Sequence, residues 1–329
     1  MTSGKKLQVV ALDDWVPPPT FAFDHEFVQH KFTPPDKVLE RIQDATVVII
    51  SGTLIAPSDI EKASRLQLIS ANGTGTDHVP KDAIRQKGIS LCRVPAQNTE
   101  SVSEHALAMY YGLRRRLVDL HYLAMDGESW KASKGNLVPS HYNHAGPRIN
   151  AEETVVIIGY GAIGKNFEKM ARALGMRVLI AERKGSKEIR QGRTSFEDAI
   201  KTGTVFMLAT PLDATTKDVL SEAEFEAMQP SAFVINVGRG GTINEPALIK
   251  ALKGGQIAGA ATDVFEKEPA TKENCPLLDP AIPNLLLSPH AAWYSDCTLK
   301  NTAAIVKANI EGFVAGKPQN LVITEGRDV

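Results

Sequence analysis

The chain has 329 residues, with 37 basic against 38 acidic side chains, a formal net charge of −1 and 43% hydrophobic residues. That length is too great for one ordinary core and suggests two domains. The balanced charge gives no field toward nucleic acid or a membrane surface, and the longest apolar runs are strand-sized, so a transmembrane span is not expected.

Lys5 and Lys6 precede Val9-Val10-Ala11-Leu12, but Asp13 and Asp14 cut that run short of a signal-peptide core, so a cytoplasmic protein is expected. Residues 1 to about 100 alternate apolar strands with helical patterns, as in a parallel α/β sheet. The strand candidates are Leu7 to Leu12, Thr46 to Ile50, Leu66 to Ser70 and Ile89 to Val94. Helical patterns near Asp36 to Gln43, Pro57 to Ser64 and Pro80 to Gln86 separate them, and Pro17-Pro18-Pro19 and Pro34-Pro35 mark turns. Directly after the third strand stands Asn72-Gly73-Thr74-Gly75-Thr76-Asp77, whose glycines free backbone N–H groups to form an anion-holding nest. A plain connecting turn is the alternative there.

Thr99 to about Leu123 reads as one long helix, with Arg114-Arg115-Arg116 as a solvated or interface face. Residues 127 to 150 read as a surface loop, with His121, His141 and His144 around it as surface histidines, since nothing keeps metal spacing with them. No metal site is expected. The three cysteines, Cys92, Cys275 and Cys297, are widely separated and read as buried free thiols.

The centre of the sequence is Val155-Val156-Ile157-Ile158-Gly159-Tyr160-Gly161-Ala162-Ile163-Gly164, a doubly buried strand running into a G-x-G-x-x-G turn. Gly159 permits the tight turn, Gly161 lets the backbone approach a pyrophosphate, and Gly164 lets the next helix pack on the strand. The phosphates are then expected on the open helix N-terminus. Ile163, Phe167, Met170, Ala171 and Leu174 carry the helix, Gly175 stops it, and Arg177 to Ala181 is a second strand. Glu182 closes that strand at roughly 20 residues past the turn, where an acid meets the adenosine ribose hydroxyls. Glu182 favours NAD, while Arg183 and Lys184 beside it leave NADP possible.

Further strands, Val205 to Ala209, Phe233 to Val237, Ile257 to Thr262 and Leu285 to Leu287, end at Thr210, at Gly238-Arg239, at Asp263 and at Ser288-Pro289-His290. The helices Glu222 to Met228 and Glu245 to Leu252 separate the first three. In a doubly wound sheet these ends open on one edge, where ligands bind. Arg239, Glu268 and His290 then form a set: a planar cation for a carboxylate, a proton donor for a carbonyl, and an acid that keeps the donor charged and oriented. Taken singly, each is also an ordinary loop residue. Thr298 to Val314 is a last amphipathic helix, and Asn320-Leu321-Val322 is placed to pair back with the first domain.

The sequence resembles the D-isomer-specific 2-hydroxyacid dehydrogenases over nearly its whole length. The resemblance rests on Asn72 to Asp77, Ser101-Val-Ser-Glu-His105, Gly159 to Gly164, Asn236-Val-Gly-Arg-Gly240, Asp263-Val-Phe-Glu-Lys-Glu-Pro269 and Ser288-Pro-His-Ala-Ala-Trp293. It implies an α/β fold of two Rossmann-like parallel-sheet domains. A cofactor domain, residues 104–290, is inserted into a discontinuous flavodoxin-like substrate domain, residues 1–103 and 291–329. It implies Arg239 as the substrate-binding cation, Glu268 as support for the histidine and His290 as the acid/base. Thr74 and Gly75 are implied at the substrate carboxylate, and Trp293 as a pocket wall. Thr74, Gly159, Gly161, Ala162, Ile163, Gly164, Glu182, Arg183, Thr210, Val237, Gly238, Arg239, Asp263 and His290 are implied at NAD, with NADP possible. A homodimer is implied as well. Glu268 argues against formate dehydrogenase, which resembles this chain but carries glutamine there. His290-Ala-Ala-Trp293 is similar to hydroxypyruvate and glyoxylate reductases and to the C-terminal-binding protein corepressors. The expected function is reduction of a small 2-keto acid of the glyoxylate or hydroxypyruvate kind to its D-2-hydroxy acid; the alternative is an NAD(H)-sensing dimeric interaction protein of the corepressor type.

Overall fold

The computed structural model describes residues 6–142 and 146–329. In chain order the strands are β1 (Leu7–Ala11), β2 (His25–Gln29), β3 (Val47–Ile50), β4 (Leu68–Ala71), β5 (Ser90–Cys92), β6 (Thr154–Ile158), β7 (Arg177–Ile180), β8 (Val205–Leu208), β9 (Phe233–Asn236), β10 (Gly259–Thr262), β11 (Leu285–Leu287), β12 (Leu321–Thr324) and β13 (Arg327–Asp328). They divide between two compact units, Met1–Asn98 with Tyr294–Val329, and Thr99–Trp293.

In the first unit the sheet order is β13-β12-β5-β4-β3-β1-β2. Strands β2, β1, β3, β4 and β5 are parallel, and β12 adds to β5 antiparallel. The 2-1-3-4-5 part is flavodoxin-like and reverses direction between β1 and β3. Helices Val38–Ile42, Pro57–Lys62 and Lys81–Lys87 bury one face with Ile42, Ile60 and Ile84. Val306 and Ile310 of the C-terminal helix Asp296–Val314 bury the other against Val9, Val47 and Leu68. The C-terminal return expected from Asn320 to Val322 is therefore present, both as this helix and as β12. Strand β2 escaped the sequence reading because it lies at the sheet edge and buries no residue fully.

The second unit holds a six-stranded parallel sheet in the order β11-β10-β9-β8-β6-β7. Val155, Val156 and Ile157 are fully enclosed by neighbours on both faces, each worth about 1.5–3 kcal/mol of burial. Helices Thr99–Arg114 and Ala162–Ala173 cover one face; Phe196–Thr202, Glu222–Ala227 and Glu245–Lys253 cover the other. The direction of winding reverses between β6 and β8, so the glycine turn after β6 stands at the switch point of this sheet.

Four local expectations are corrected. The single helix from Thr99 to Leu123 is two, Thr99–Arg114 and Leu117–Asp126, because Arg116 takes a left-handed backbone (φ 47°) and its N–H closes on Leu113 O. Arg114 is not solvated: it is buried over the Tyr110 and Tyr111 rings and donates to the Tyr110 hydroxyl (2.6 Å) and Asn150 Oδ1 (3.0 Å). The segment after Gly127 is not plain loop but carries two short helices, Glu128–Ala132 and Leu137–His141. Of the thiols, Cys92 and Cys275 are buried as expected, but Cys297 is exposed, since it lies in the first turn of the helix that begins at Asp296. His121 is exposed and His141 partly so; His144 lies outside the described residues. Among the described residues no helix is long and apolar enough to cross a membrane, and no cluster of histidine, cysteine and acid has metal-holding geometry.

Candidate active site

In the second unit, the carboxyl ends of β6, β8 and β9 come together through glycine. Gly159 has φ 100°, and a Cβ there would lie 2.7 Å from Ala209 backbone atoms; a Cβ on Gly238 would lie 2.7 Å from Thr210 O. Gly164 sits so close under the turn that a Cβ would meet Gly159 O at 2.3 Å, the tight helix-to-strand packing that the third glycine of such a turn permits. Gly161 differs, because a Cβ there would meet nothing within 4 Å. It faces open space at the start of helix Ala162–Ala173, whose first-turn amides include those of Ala162 and Ile163. At the neighbouring strand end Thr210 Oγ1 is buried without a hydrogen-bond partner. An open approach to helix amides and an orphaned hydroxyl beside it fit a phosphate-bearing ligand.

On the same sheet edge, His290 Nδ1 lies 2.6 Å from Glu268 Oε2. The other oxygen, Oε1, accepts from the Phe265 amide at 2.9 Å, which fixes the carboxylate's orientation. Burial pushes the Glu268 carboxyl up, but the His290 hydrogen bond, the Phe265 amide and the charges of His290 and Arg239 outweigh it and hold the group below its ordinary value. Arg239 is half-buried and donates to Gly238 O (3.0 Å). Gly240 holds the Arg239 turn against the Glu268 loop, since a Cβ there would overlap Phe265 O at 1.8 Å. The three residues of the expected set are thus gathered in one unit, with the His290 side chain 43% exposed and able to meet a ligand.

His290 adopts φ 50°, a left-handed conformation that costs a non-glycine residue roughly 1–3 kcal/mol. Asp263 holds it there. The His290 amide donates to Asp263 O (2.8 Å), the amides of Ala291 and Ala292 donate to the Asp263 carboxylate (2.8 and 2.9 Å), and Ser288 Oγ donates to Oδ1 (2.5 Å). With only 1% of its surface exposed, Asp263 is occupied by the turn that carries the histidine. Ser288 Oγ also lies 2.9 Å from His105 Nε2, and Ser101 Oγ donates to Ala292 O (2.6 Å). The motif Ser101 to His105 therefore braces the turn. Sequence reasoning gave Ser288 and His105 no role, because contacts between a helix start and a distant strand end leave no periodic signal. Val237 is buried at the end of β9, and Trp293 packs beside Ala292 on the core that includes helix Thr99–Arg114.

Glu182 stands at the end of β7, but its carboxylate is already engaged. It accepts from the Arg183 amide (2.9 Å), the Arg190 amide (3.2 Å), Arg190 Nε (2.8 Å) and Arg190 Nη2. The Arg190 bonds, with those amides, hold its carboxyl far below the usual carboxylate range. Arg183 itself is exposed.

In the first unit, the loop after β4 is shaped by backbone bonds from the Asn72 amide to Ile50 O (2.7 Å) and from the Val94 amide to Gly73 O (2.9 Å). The Thr74 hydroxyl donates to Val94 O (3.1 Å) and lies 3.0 Å from Gln97 Oε1. Gly75 follows, part-buried.

Residues 107–292 match the family model described as D-isomer specific 2-hydroxyacid dehydrogenase, NAD binding domain. The chain is 35% identical over 305 residues to a glycerate dehydrogenase of Methylorubrum extorquens, covering 92% of this chain and 93% of that protein. It is 30% identical over 309 residues to a glyoxylate reductase of Aeropyrum pernix, covering 91% and 89%. Among solved structures, the TT0316 protein of Thermus thermophilus superposes with a TM-score of 0.81 at 28% identity, over 96% of this chain and all of that one.

Proposed function

Because the chain belongs to the D-isomer specific 2-hydroxyacid dehydrogenases, oxidoreductases that work with NAD or NADP, we propose that it interconverts a small 2-keto acid of the glyoxylate or hydroxypyruvate kind and the D-2-hydroxy acid. The observation that carries the reading is the Glu268–His290 pair at 2.6 Å, with the charge of Arg239 acting on the same carboxylate. Glyoxylate reductase and glycerate dehydrogenase activities in relatives support the substrate class.

The cofactor's pyrophosphate is assigned to the Gly159–Gly164 turn and the amides of Ala162 and Ile163, with Thr210, Val237 and Gly238 along the adjoining strand ends. A nicotinamide dinucleotide held there would supply or accept the hydride. Arg239 binds the substrate carboxylate with its planar fork and polarises the carbonyl. His290, carrying its proton on Nε2 with Nδ1–H donated to Glu268, gives that proton to the carbonyl oxygen as it becomes an alkoxide. Glu268 steadies the imidazolium before transfer and fixes which ring nitrogen faces the substrate. In the oxidative direction His290 takes the hydroxyl proton back. Trp293, in the same unit, is assigned by family membership to the pocket wall.

A homodimer is part of the same reading. Leu117, Val118, Tyr122, Met125, Trp130 and Val138 leave large apolar surfaces exposed along one stretch of the second unit, as an association surface does. A cytoplasmic location is our reading of the sequence. Activity is tested by following loss of reduced-nicotinamide absorbance with a panel of 2-keto acids and both reduced cofactors. Rapid oxidation with glyoxylate or hydroxypyruvate supports the proposal; binding of either cofactor without turnover on any 2-keto acid contradicts it.

A further inference from the structure

Glu182 occupies the position at which an acid reads the ribose hydroxyls of NAD, yet its two oxygens already accept four protein donors, the full capacity of a carboxylate. Its side chain is 3% exposed. Besides the Arg183 amide, the donors belong to Arg190, on a segment that the fold brings alongside the strand: Ala181 bridges Thr194, the Glu182 amide donates to Thr194 O (2.8 Å), and Arg190 and Arg193 are carried in with it. Arg193 Nη1 stands 3.8 Å from the Glu182 carboxylate, and its guanidinium lies over the ring of Tyr160, inside the glycine turn itself. Arg190 is 52% exposed, so the far side of its fork is available to a ligand. Arg183 is exposed, and among the described residues its side chain makes no hydrogen bond or ion pair. Lys184 is turned away, paired with Glu224 at 2.7 Å. The end of β7 therefore presents three arginines around one neutralised, inaccessible acid.

We propose that this cluster is a site for the 2′-phosphate of NADP(H), with Arg183 and Arg190 contacting the phosphate and Arg193 reinforcing the charge. Glu182 acts there as a buried anchor that orients Arg190, not as a reader of ribose hydroxyls. The chain then prefers NADP(H) over NAD(H). The reason is twofold: arginine forks match phosphate geometry, and the ribose hydroxyls of NAD find no free acceptor. The proposal rests on the assignment of the Gly159–Gly164 turn to the cofactor pyrophosphate, and goes beyond it in naming which dinucleotide the turn receives.

The test is calorimetric titration of the full-length protein with NADP+ and with NAD+, which differ only in the 2′-phosphate and need no turnover. NADP+ should bind at least about tenfold tighter, the worth of roughly one charge-assisted contact. Arg183→Ala removes an exposed side chain and should erase most of that advantage, weakening NADP+ far more than NAD+. Arg190→Ala should do the same and also free Glu182, so that NADH binds more tightly in that variant. Equal or weaker binding of NADP+ by the unaltered protein, or an advantage that survives Arg183→Ala, overturns the proposal. Binding of neither nucleotide overturns it together with the pyrophosphate assignment beneath it, and the two failures are thereby told apart.

Discussion

His290 is held from two directions by acids of different kinds: its ring by Glu268 at 2.6 Å, its backbone by Asp263, whose carbonyl accepts the His290 amide at 2.8 Å. The first acid is accessible and acts on the proton; the second is buried and acts on the loop. Separate substitutions should separate these roles.

Glu268→Gln keeps the shape and removes the charge. The Glu268 carboxyl sits below its ordinary value in the folded chain. The pair is therefore present above the usual carboxyl range and is lost only as pH falls through that depressed value. We expect Glu268→Gln to reduce keto acid more slowly and to lose the acid limb that the Glu268 carboxylate gives the pH profile, with the KM for cofactor unchanged. An unmoved profile would remove Glu268 from the relay.

Asp263→Ala should act on structure first. It leaves the Ser288 hydroxyl and the Ala291 and Ala292 amides without their acceptor, at about 1–3 kcal/mol for each donor that stays buried. We expect a lower Tm and reduced turnover together. Ser288→Ala, which removes one donor and keeps the acid, should lose far less of both.

Two glycines of one turn should respond oppositely to alanine. Gly164→Ala drives a Cβ into Gly159 O and should destabilise the fold, read as a drop in Tm. Gly161→Ala meets nothing within 4 Å, so the melting temperature should hold while cofactor affinity falls, because the methyl enters the space assigned to the pyrophosphate. Unchanged cofactor binding in Gly161→Ala would move the pyrophosphate elsewhere.

The thiols should divide by burial. Burial pushes the Cys92 thiol up to about 11, and Cys275 is raised by burial too, whereas Cys297 is exposed. A neutral-pH thiol titration of the native protein should modify Cys297 alone, with Cys92 and Cys275 reacting only after denaturation. Rapid modification of Cys92 in the native state would contradict its place in the first sheet.

Much of this was legible in the chain because the relevant signals are local. A β-branched run such as Val155 to Ile158, followed directly by glycines, specifies a buried strand and its turn whatever the rest of the molecule does. Arg239, Glu268 and His290 could be gathered because parallel strands deliver their carboxyl ends to one edge. What escaped depends on contacts that sequence does not order. The left-handed backbone at Arg116 that breaks the helix, and the inward turn of Arg114 onto Tyr110 and Asn150, are both concealed in a run of three arginines. Glu182 was read from its place after β7, whereas its engagement by Arg190 depends on a bridge between Ala181 and Thr194 with no pattern of its own. Asp263 was read as a cofactor contact, and its carboxylate goes to the turn of residues 288–292.

The most direct measurement is turnover of His290→Ala on whichever 2-keto acid the unaltered protein reduces fastest, beside calorimetric cofactor binding by the same variant. Loss of a positioned general acid should slow reduction by about 10²- to 10⁴-fold while cofactor affinity stays within a small factor of the parent. Near-normal turnover by His290→Ala on every active 2-keto acid would contradict the assignment of His290 as the group that gives and takes the proton.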